Sequence, residues 1–285
     1  DEREALLAPY LEPDEDDGAF GVPRVGTCEG LIPWLVTLLR ELDIPVRVMS
    51  PDKGSLVRGE ARCHSFDACA PVKIAHGVAD GELDRIFFPK ILSVPDRDGE
   101  PGGCCTMEQA LPDLCREALR SRGREVEVIH PTLDLSAGYK IPTVFFSLIR
   151  ALPRLGADPD RLWRAMACAA REQTAYEEAL AEIGDRTLEH ARINDLDVVL
   201  VVGSLHVIHD PCVNASIPQL LRENGVLALP MDCFRIEESV HPIERLGWAD
   251  ARRALRSAIA ARALGDVYQL MLTSFGCGPS SFAEQ

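Results

Sequence analysis

The sequence predicts an α/β protein of two lobes, each built on a parallel sheet, joined by a helical segment. Three observations carry this expectation. First, short apolar runs at 20–25 and 46–49 flank Leu31, Leu35, Leu38, Leu39 and Leu42 at helical spacing, so the chain opens strand–helix–strand. Second, Asp197-Val198-Val199-Leu200-Val201-Val202 is a β-branched run of the kind buried on both faces of a parallel sheet. Third, helical patterns dominate between these segments, most clearly over 160–186. Both lobes therefore read as Rossmann-like and face one cleft. The boundaries read as an acidic linker over 1–19, a first lobe over 20–151, a helical connector over 152–194 and a second lobe over 195–285.

Composition narrows the function classes. The chain has 285 residues, 46% apolar and 26% charged, as expected of a globular protein able to bury a core. No apolar run approaches the ~18 residues that a membrane span requires. The opening Asp1-Glu2-Arg3-Glu4 is not a secretion signal, which predicts a cytoplasmic protein, and the missing methionine suggests a chain that begins mid-protein. A net charge of −15 argues against nucleic acid, whose phosphates require a cationic face, and suits basic protein partners. Ten cysteines at irregular spacings, with no C-x-x-C, read as reduced thiols for metal or catalysis rather than as a disulfide framework. Any metal ligands must come from distant parts of the chain.

Taken in order, Pro13-Asp14-Glu15-Asp16-Asp17-Gly18 closes an acidic stretch with little to bury. The first strand and a Gly26-Thr27-Cys28-Glu29-Gly30 turn lead into the leucine-rich helix, with Trp34 on the same side. Pro71 suits the first turn of a helix, which places Cys69 at a helix N-terminus, where unpaired N–H groups favour the thiolate. A third strand is expected over 85–91 and a fourth over 126–129, and a loop ending Gly102-Gly103-Cys104-Cys105 precedes a helix through Leu114 and Leu119. In the 160–186 helix, Leu162, Trp163, Met166 and Ala170 share one face, and Cys168 reads as core. In the second lobe a turn over 203–214 carries His206 and His209, and helices follow through Ile217 and Leu221 and over 248–264. An apolar run then stops at Gly276-Cys277-Gly278-Pro279. A cysteine at the carboxyl end of a parallel strand points into the crevice where α/β proteins hold ligands. The plain alternative for Cys277 and for Cys69 is a buried cysteine packing as a small hydrophobe.

Several separated runs, in order, carry a resemblance. They are Gly21-Val22-Pro23-Arg24, Cys69-Ala70-Pro71-Val72-Lys73 with His76-Gly77, and Phe88-Pro89-Lys90-Ile91-Leu92-Ser93-Val94. Cys105 ahead of Leu111-Pro112-Asp113, Asp210-Pro211 with Asn214, Leu229-Pro230-Met231-Asp232 and the stretch 274–282 complete them. From about Phe20 to its end the chain resembles the acyl-CoA dehydratase activase-related proteins, or CoA-substrate-specific enzyme activases. These are relatives of 2-hydroxyacyl-CoA dehydratase subunits and double-cubane-cluster reductases. The chain departs from that pattern where Ser280 replaces the acid of the family's Gly-Pro-Asp-Ser-Phe. It also stops at Gln285 where the family continues, and it lacks the ATP-binding domains that often precede this region. The turns at Gly26 and Gly203 have no P-loop character, so no ATP site is expected in this segment of a longer polypeptide.

The resemblance implies that Cys69, Cys105 and Cys277 ligate an iron–sulfur cluster. It further implies an oxidoreductase or dehydratase-like module of anaerobic metabolism, fed low-potential electrons by an ATP-dependent actin-like activase domain or subunit. The acceptor would be a CoA thioester or a small reducible substrate; His206 and His209, whose reference pKa is near neutral, either supply protons or only cap and hydrogen-bond their loop, and a homodimer is left open. A single 4Fe-4S cluster needs only those three thiolates. An 8Fe-9S double cubane would need six, and six cysteines fall in loops or junctions: Cys28, Cys63, Cys69, Cys104, Cys105 and Cys277. Cys115, Cys168, Cys212 and Cys233 read as lying in or against regular elements. Zinc held by cysteine with His64 or His76, a non-metal interaction module, and a scaffold that only docks activase domains are the alternatives.

Overall fold

The computed structural model describes residues 2–15, 18–63, 68–95, 102–236, 240 and 246–284. Numbered along the chain, its strands are β1 (Phe20–Pro23), β2 (Val46–Met49), β3 (Arg85–Phe87), β4 (Lys90–Val94), β5 (Gly102–Gly103), β6 (Glu127–Ile129), β7 (Thr132–Asp134), β8 (Val198–Val202), β9 (Leu227–Pro230) and β10 (Val267–Met271). The first parallel sheet has the order β2-β1-β3-β6, with Phe20 opposite Val46 and Ile86 opposite Val128. The second parallel sheet has the order β10-β8-β9. The two-lobed, Rossmann-like α/β architecture expected from the sequence is therefore present.

Packing explains why these runs become central strands. Every residue of β1 is buried, and in β8 only Val199 keeps any surface. The helix Ile32–Arg40 buries Trp34, Leu35, Leu38 and Leu39 against the long helix Pro159–Asn194. Each such leucine contributes about 2 kcal/mol by leaving water. Asp158 caps the long helix by accepting the Asp160 N–H at 2.9 Å. One hydrophobic core runs through both lobes. Among the described residues no helix is long and apolar enough to cross a membrane.

Four local expectations are corrected. The third strand is two strands: β3 ends at Phe87, and β4 leaves to form a mixed sheet in the order β5-β4-β7. Pro89 has no N–H to give a ladder, so the chain changes sheets there; Phe88 N–H bonds Ile129 O and Lys90 N–H bonds Pro131 O. The stretch read as an acidic linker instead contains the helix Glu2–Leu11, which buries Leu7 and Arg3. Arg3, 4% exposed, pairs with Glu29 of the first lobe at 2.9 Å and Asp232 of the second at 3.3 Å. Acidic composition concealed a helix that docks through the buried Leu7 and the buried cation of Arg3. In the long helix Trp163 is exposed, where it meets Phe145 edge-on and lies under Lys140. Cys168 is only half-buried and its Sγ accepts from Arg171, because Ala165, Met166 and Ala169 occupy the inward face.

Candidate functional site

Cys69, Cys105 and Cys277 each occupy the N-cap of a helix: Ala70–Ala79, Thr106–Arg120 and Gly278–Ala283 respectively. Pro71 and Pro279 stand in the first turns, where a missing N–H removes nothing the helix would use. Gly276, at φ 81°, turns the chain into Cys277 from the end of β10. The approach of Cys105 to the second lobe has its own cause. A Cβ on Gly102 would stand 2.4 Å from Ala249 Cα, so the bare backbone lets β5 lie against the start of the helix Ala249–Leu264. Gly103 N–H bonds Gly247 O at 2.8 Å, which fixes the contact and carries Cys104-Cys105 to the lobe boundary.

The three N-cap cysteines, distant in sequence, line one cavity of about 350 Å³ between the lobes. The backbone N–H of Val72 near the Cys69 thiol, and those of Met107 and Glu108 near the Cys105 thiol, act to favour the thiolate. Cys277 Sγ donates to Ser280 Oγ at 3.1 Å, so the thiol meets a neutral acceptor. Leu31, Val72, Leu111 and Trp248 give the cavity an apolar wall. The helix ends do not favour the thiolate as the sequence suggested. Burial pushes the Cys69 and Cys105 thiols up, with Cys277 adding to both and Glu108 acting most strongly on Cys105. Desolvation of the charged form outweighs the few N–H groups that oppose it.

A polar group missed by sequence reading faces the thiols. The Thr27 hydroxyl donates to Glu108 Oε2 at 2.5 Å, and His206 Nδ1 stands 3.5 Å from Glu108 Oε1. Asp250 Oδ2 accepts the Leu205 N–H at 3.2 Å, and burial followed by the Glu108 charge pushes its carboxyl up to about 6. Glu108 sits three residues after Cys105 in the first helical turn, a weak capping-box spacing that gave the only local signal. Asp250 had none, since its place depends on the Gly102 contact across the lobes.

The remaining cysteines separate. Cys104 also reaches the cavity wall, where burial pushes its thiol up to about 12 against the Thr27 hydroxyl. Cys28 is buried beside it without bordering the cavity. Cys63 Sγ lies 3.3 Å from His76 Nδ1, which also meets Val72 O at 2.9 Å. Of the histidines in the zinc alternative, His76 is thus turned to Cys63, and His64 lies outside the described residues. Among the described residues no group of three or more His, Cys, Asp or Glu side chains is placed to hold a metal ion. His206 borders the thiol cavity, whereas His209 bonds Asp232 Oδ2 through Nε2 at 2.9 Å and borders a second, larger cleft.

Comparison with known families gives one match: the family model described as CoA enzyme activase uncharacterised domain covers residues 20–234. No curated protein and no solved structure matches the chain.

Proposed function

Because the chain belongs to the CoA enzyme activase domain family, we propose that it is the iron–sulfur module of an ATP-driven electron-transfer system. In this reading Cys69, Cys105 and Cys277 hold a 4Fe-4S cluster, an activase partner supplies low-potential electrons, and a reducible substrate such as a CoA thioester receives them. The observation that carries the proposal is the convergence of three N-cap cysteines on one apolar-walled cavity. The donor set fits a cluster better than a single ion. Thiolates are the ligands that iron–sulfur clusters take, and three cysteine side chains border this one cavity. Three thiolates leave one iron of a cube without a protein ligand, and a bound cluster supplies one-electron chemistry.

This chain's own residues supply the rest. The N–H groups of Val72, Met107 and Glu108 stabilise negative charge on two of the sulfurs. Leu31, Val72 and Leu111 give the cavity apolar wall, and Glu108, Asp250 and His206 place polar groups at its edge. The three-thiolate cluster is preferred to the double cubane because Cys63 faces His76 and Cys28 does not border the cavity. Reduction of the anaerobically reconstituted chain by an ATP-hydrolysing activase, followed by electron paramagnetic resonance, tests the proposal. The expected result is a reduced-cluster signal that is lost in each of Cys69→Ala, Cys105→Ala and Cys277→Ala and kept in Cys28→Ser and Cys63→Ser. A triple alanine variant that still supports full activity of the partner system would establish the scaffold alternative instead.

A further inference from the structure

A second cleft of about 800 Å³ lies at the carboxyl ends of both parallel sheets, bordered by Arg24, Ser50, Asn214 and Pro230. Gly26, Pro71 and His206 border both spaces and separate this cleft from the thiol cavity. Carboxyl strand ends are where α/β sheets place ligands, and the volume suits an organic molecule of ordinary substrate size.

His209 faces this cleft. Its Nε2 is 2.9 Å from Asp232 Oδ2, and Arg3 Nε meets the same oxygen at 3.3 Å. Asp232, ion-paired with Arg3, accepts here, so His209 carries its neutral-form proton on Nε2 and leaves Nδ1 as a base. His209 borders the cleft and Asp232 does not, so with Nε2 taken up by Asp232 the ring nitrogen left for a ligand in the cleft is Nδ1. A buried carboxylate that fixes the tautomer and offsets the charge of an imidazolium is the arrangement that makes a histidine a general base. The loop that carries it is fixed: Asn214 Nδ2 donates to Ile208 O at 2.8 Å and its Oδ1 accepts Ser216 N–H at 2.9 Å. Ala215 and Ser216 follow in the left-handed region, at φ 52° and 57°.

We propose that this cleft is an acid–base site separate from the thiol cavity, in which His209 exchanges a proton through Nδ1 with an uncharged hydroxyl-bearing organic molecule. In the forward direction the ligand O–H breaks, the proton forms a bond to Nδ1, and the electron pair stays on oxygen. Asp232 offsets the imidazolium, and the reverse transfer restores both partners. An uncharged ligand suits the interior of the cleft, where the buried guanidiniums are engaged, Arg24 by Glu4 and Glu29 and Arg3 by Glu29 and Asp232, while the exposed Arg222 stands at the rim. Glu4, whose charge His209 also feels, and Asp210 would repel an anion. Ile74, Ile183 and Leu227 provide apolar wall for the ligand's carbon skeleton. Asp232 and Arg3 are positioning residues.

The inference does not depend on a bound cluster, and its test reads the imidazole itself. The full chain is treated with diethyl pyrocarbonate, and acylation of each histidine is followed by peptide mass mapping, with His209→Gln to assign the peptide. His209 is expected to react faster than His190 on the exposed face of the long helix. Asp232→Asn should lower the His209 rate severalfold relative to His190, and Asp232→Glu should restore part of it. A His209 that stays unmodified while His190 reacts, or whose rate ignores both substitutions, overturns the proposal. Nitrogen NMR of the wild-type chain decides independently of any variant's folding: the neutral ring is expected with its proton on Nε2, and a proton on Nδ1 overturns the assignment.

Discussion

Gly77 has a reason that its place in the His76-Gly77 run does not reveal. A Cβ there would stand 1.9 Å from Ser55 O, and one on Gly59 would stand 1.5 Å from Lys73 O, because the helices Ser55–Glu60 and Ala70–Ala79 cross at these two residues. No rotamer relieves a clash with backbone. Gly77→Ala is expected to cost about 3 kcal/mol despite alanine's better helix propensity, read as a lower urea midpoint with unchanged slope. Asp250 gives a pH-dependent counterpart. Its folded pKa of about 6 lies above the ordinary carboxylate value of 3.8, so between those values the native state binds more protons than the unfolded state. Stability contributed by this group is therefore present below about pH 4 and lost as pH rises through about 6. The full shift corresponds to about 3 kcal/mol, and partial exposure of the residue reduces this to about 2. Asp250→Asn, which can still accept the Leu205 N–H, should match wild type in urea melts at pH 4 and exceed it by that amount at pH 7. A constant offset across that range would contradict the assignment.

At the scale of elements, the helix Glu2–Leu11 is held by more than its own sequence. Arg3 pairs with both lobes, Arg24 joins Glu4 to Glu29, and the Tyr10 hydroxyl donates to Glu172 at 2.8 Å. Arg3→Ala leaves Glu29 and Asp232 less compensated in a buried setting and is expected to cost about 3–5 kcal/mol. Loss below about 1 kcal/mol in a denaturant melt would mean that the helix does not clamp the lobes as described. This helix also shows where sequence reading stops. Cys69 was legible as an N-cap because Pro71 signals a helix start, whereas the Gly276-Cys277-Gly278-Pro279 turn was read as the end of a strand and the short helix after Cys277 was not foreseen. The docking of Arg3, the change of sheet at Pro89 and the place of Asp250 depend on partners 26 to 229 residues away, or on a two-residue strand no periodicity can reveal. The same limit explains the thiols: a helix end is read from a few neighbours, whereas burial is a property of the folded chain and reversed the expected direction for Cys69.

At the scale of the whole molecule, two parallel sheets present their carboxyl ends to one junction, and that junction holds two spaces with different chemistry. One is thiol-lined with an apolar wall, the other larger and bordered by engaged ion pairs and His209. Phe275, 95% exposed and two residues from Cys277, offers an apolar ring close to the thiol cavity. Phe275→Glu is expected to slow activase-driven reduction while leaving the iron content unchanged; equal reduction rates would remove this ring from the partner surface. The central claim is that three cysteines, from two lobes and three helix ends, act together on one cluster. Iron and acid-labile sulfide per chain after anaerobic reconstitution test it most directly. The account predicts about four of each in wild type and in Cys28→Ser and Cys63→Ser, and near zero in the Cys69→Ser, Cys105→Ser, Cys277→Ser variant. About eight irons per chain that fall with Cys28→Ser or Cys63→Ser, or an iron content unchanged in the triple variant, would contradict it.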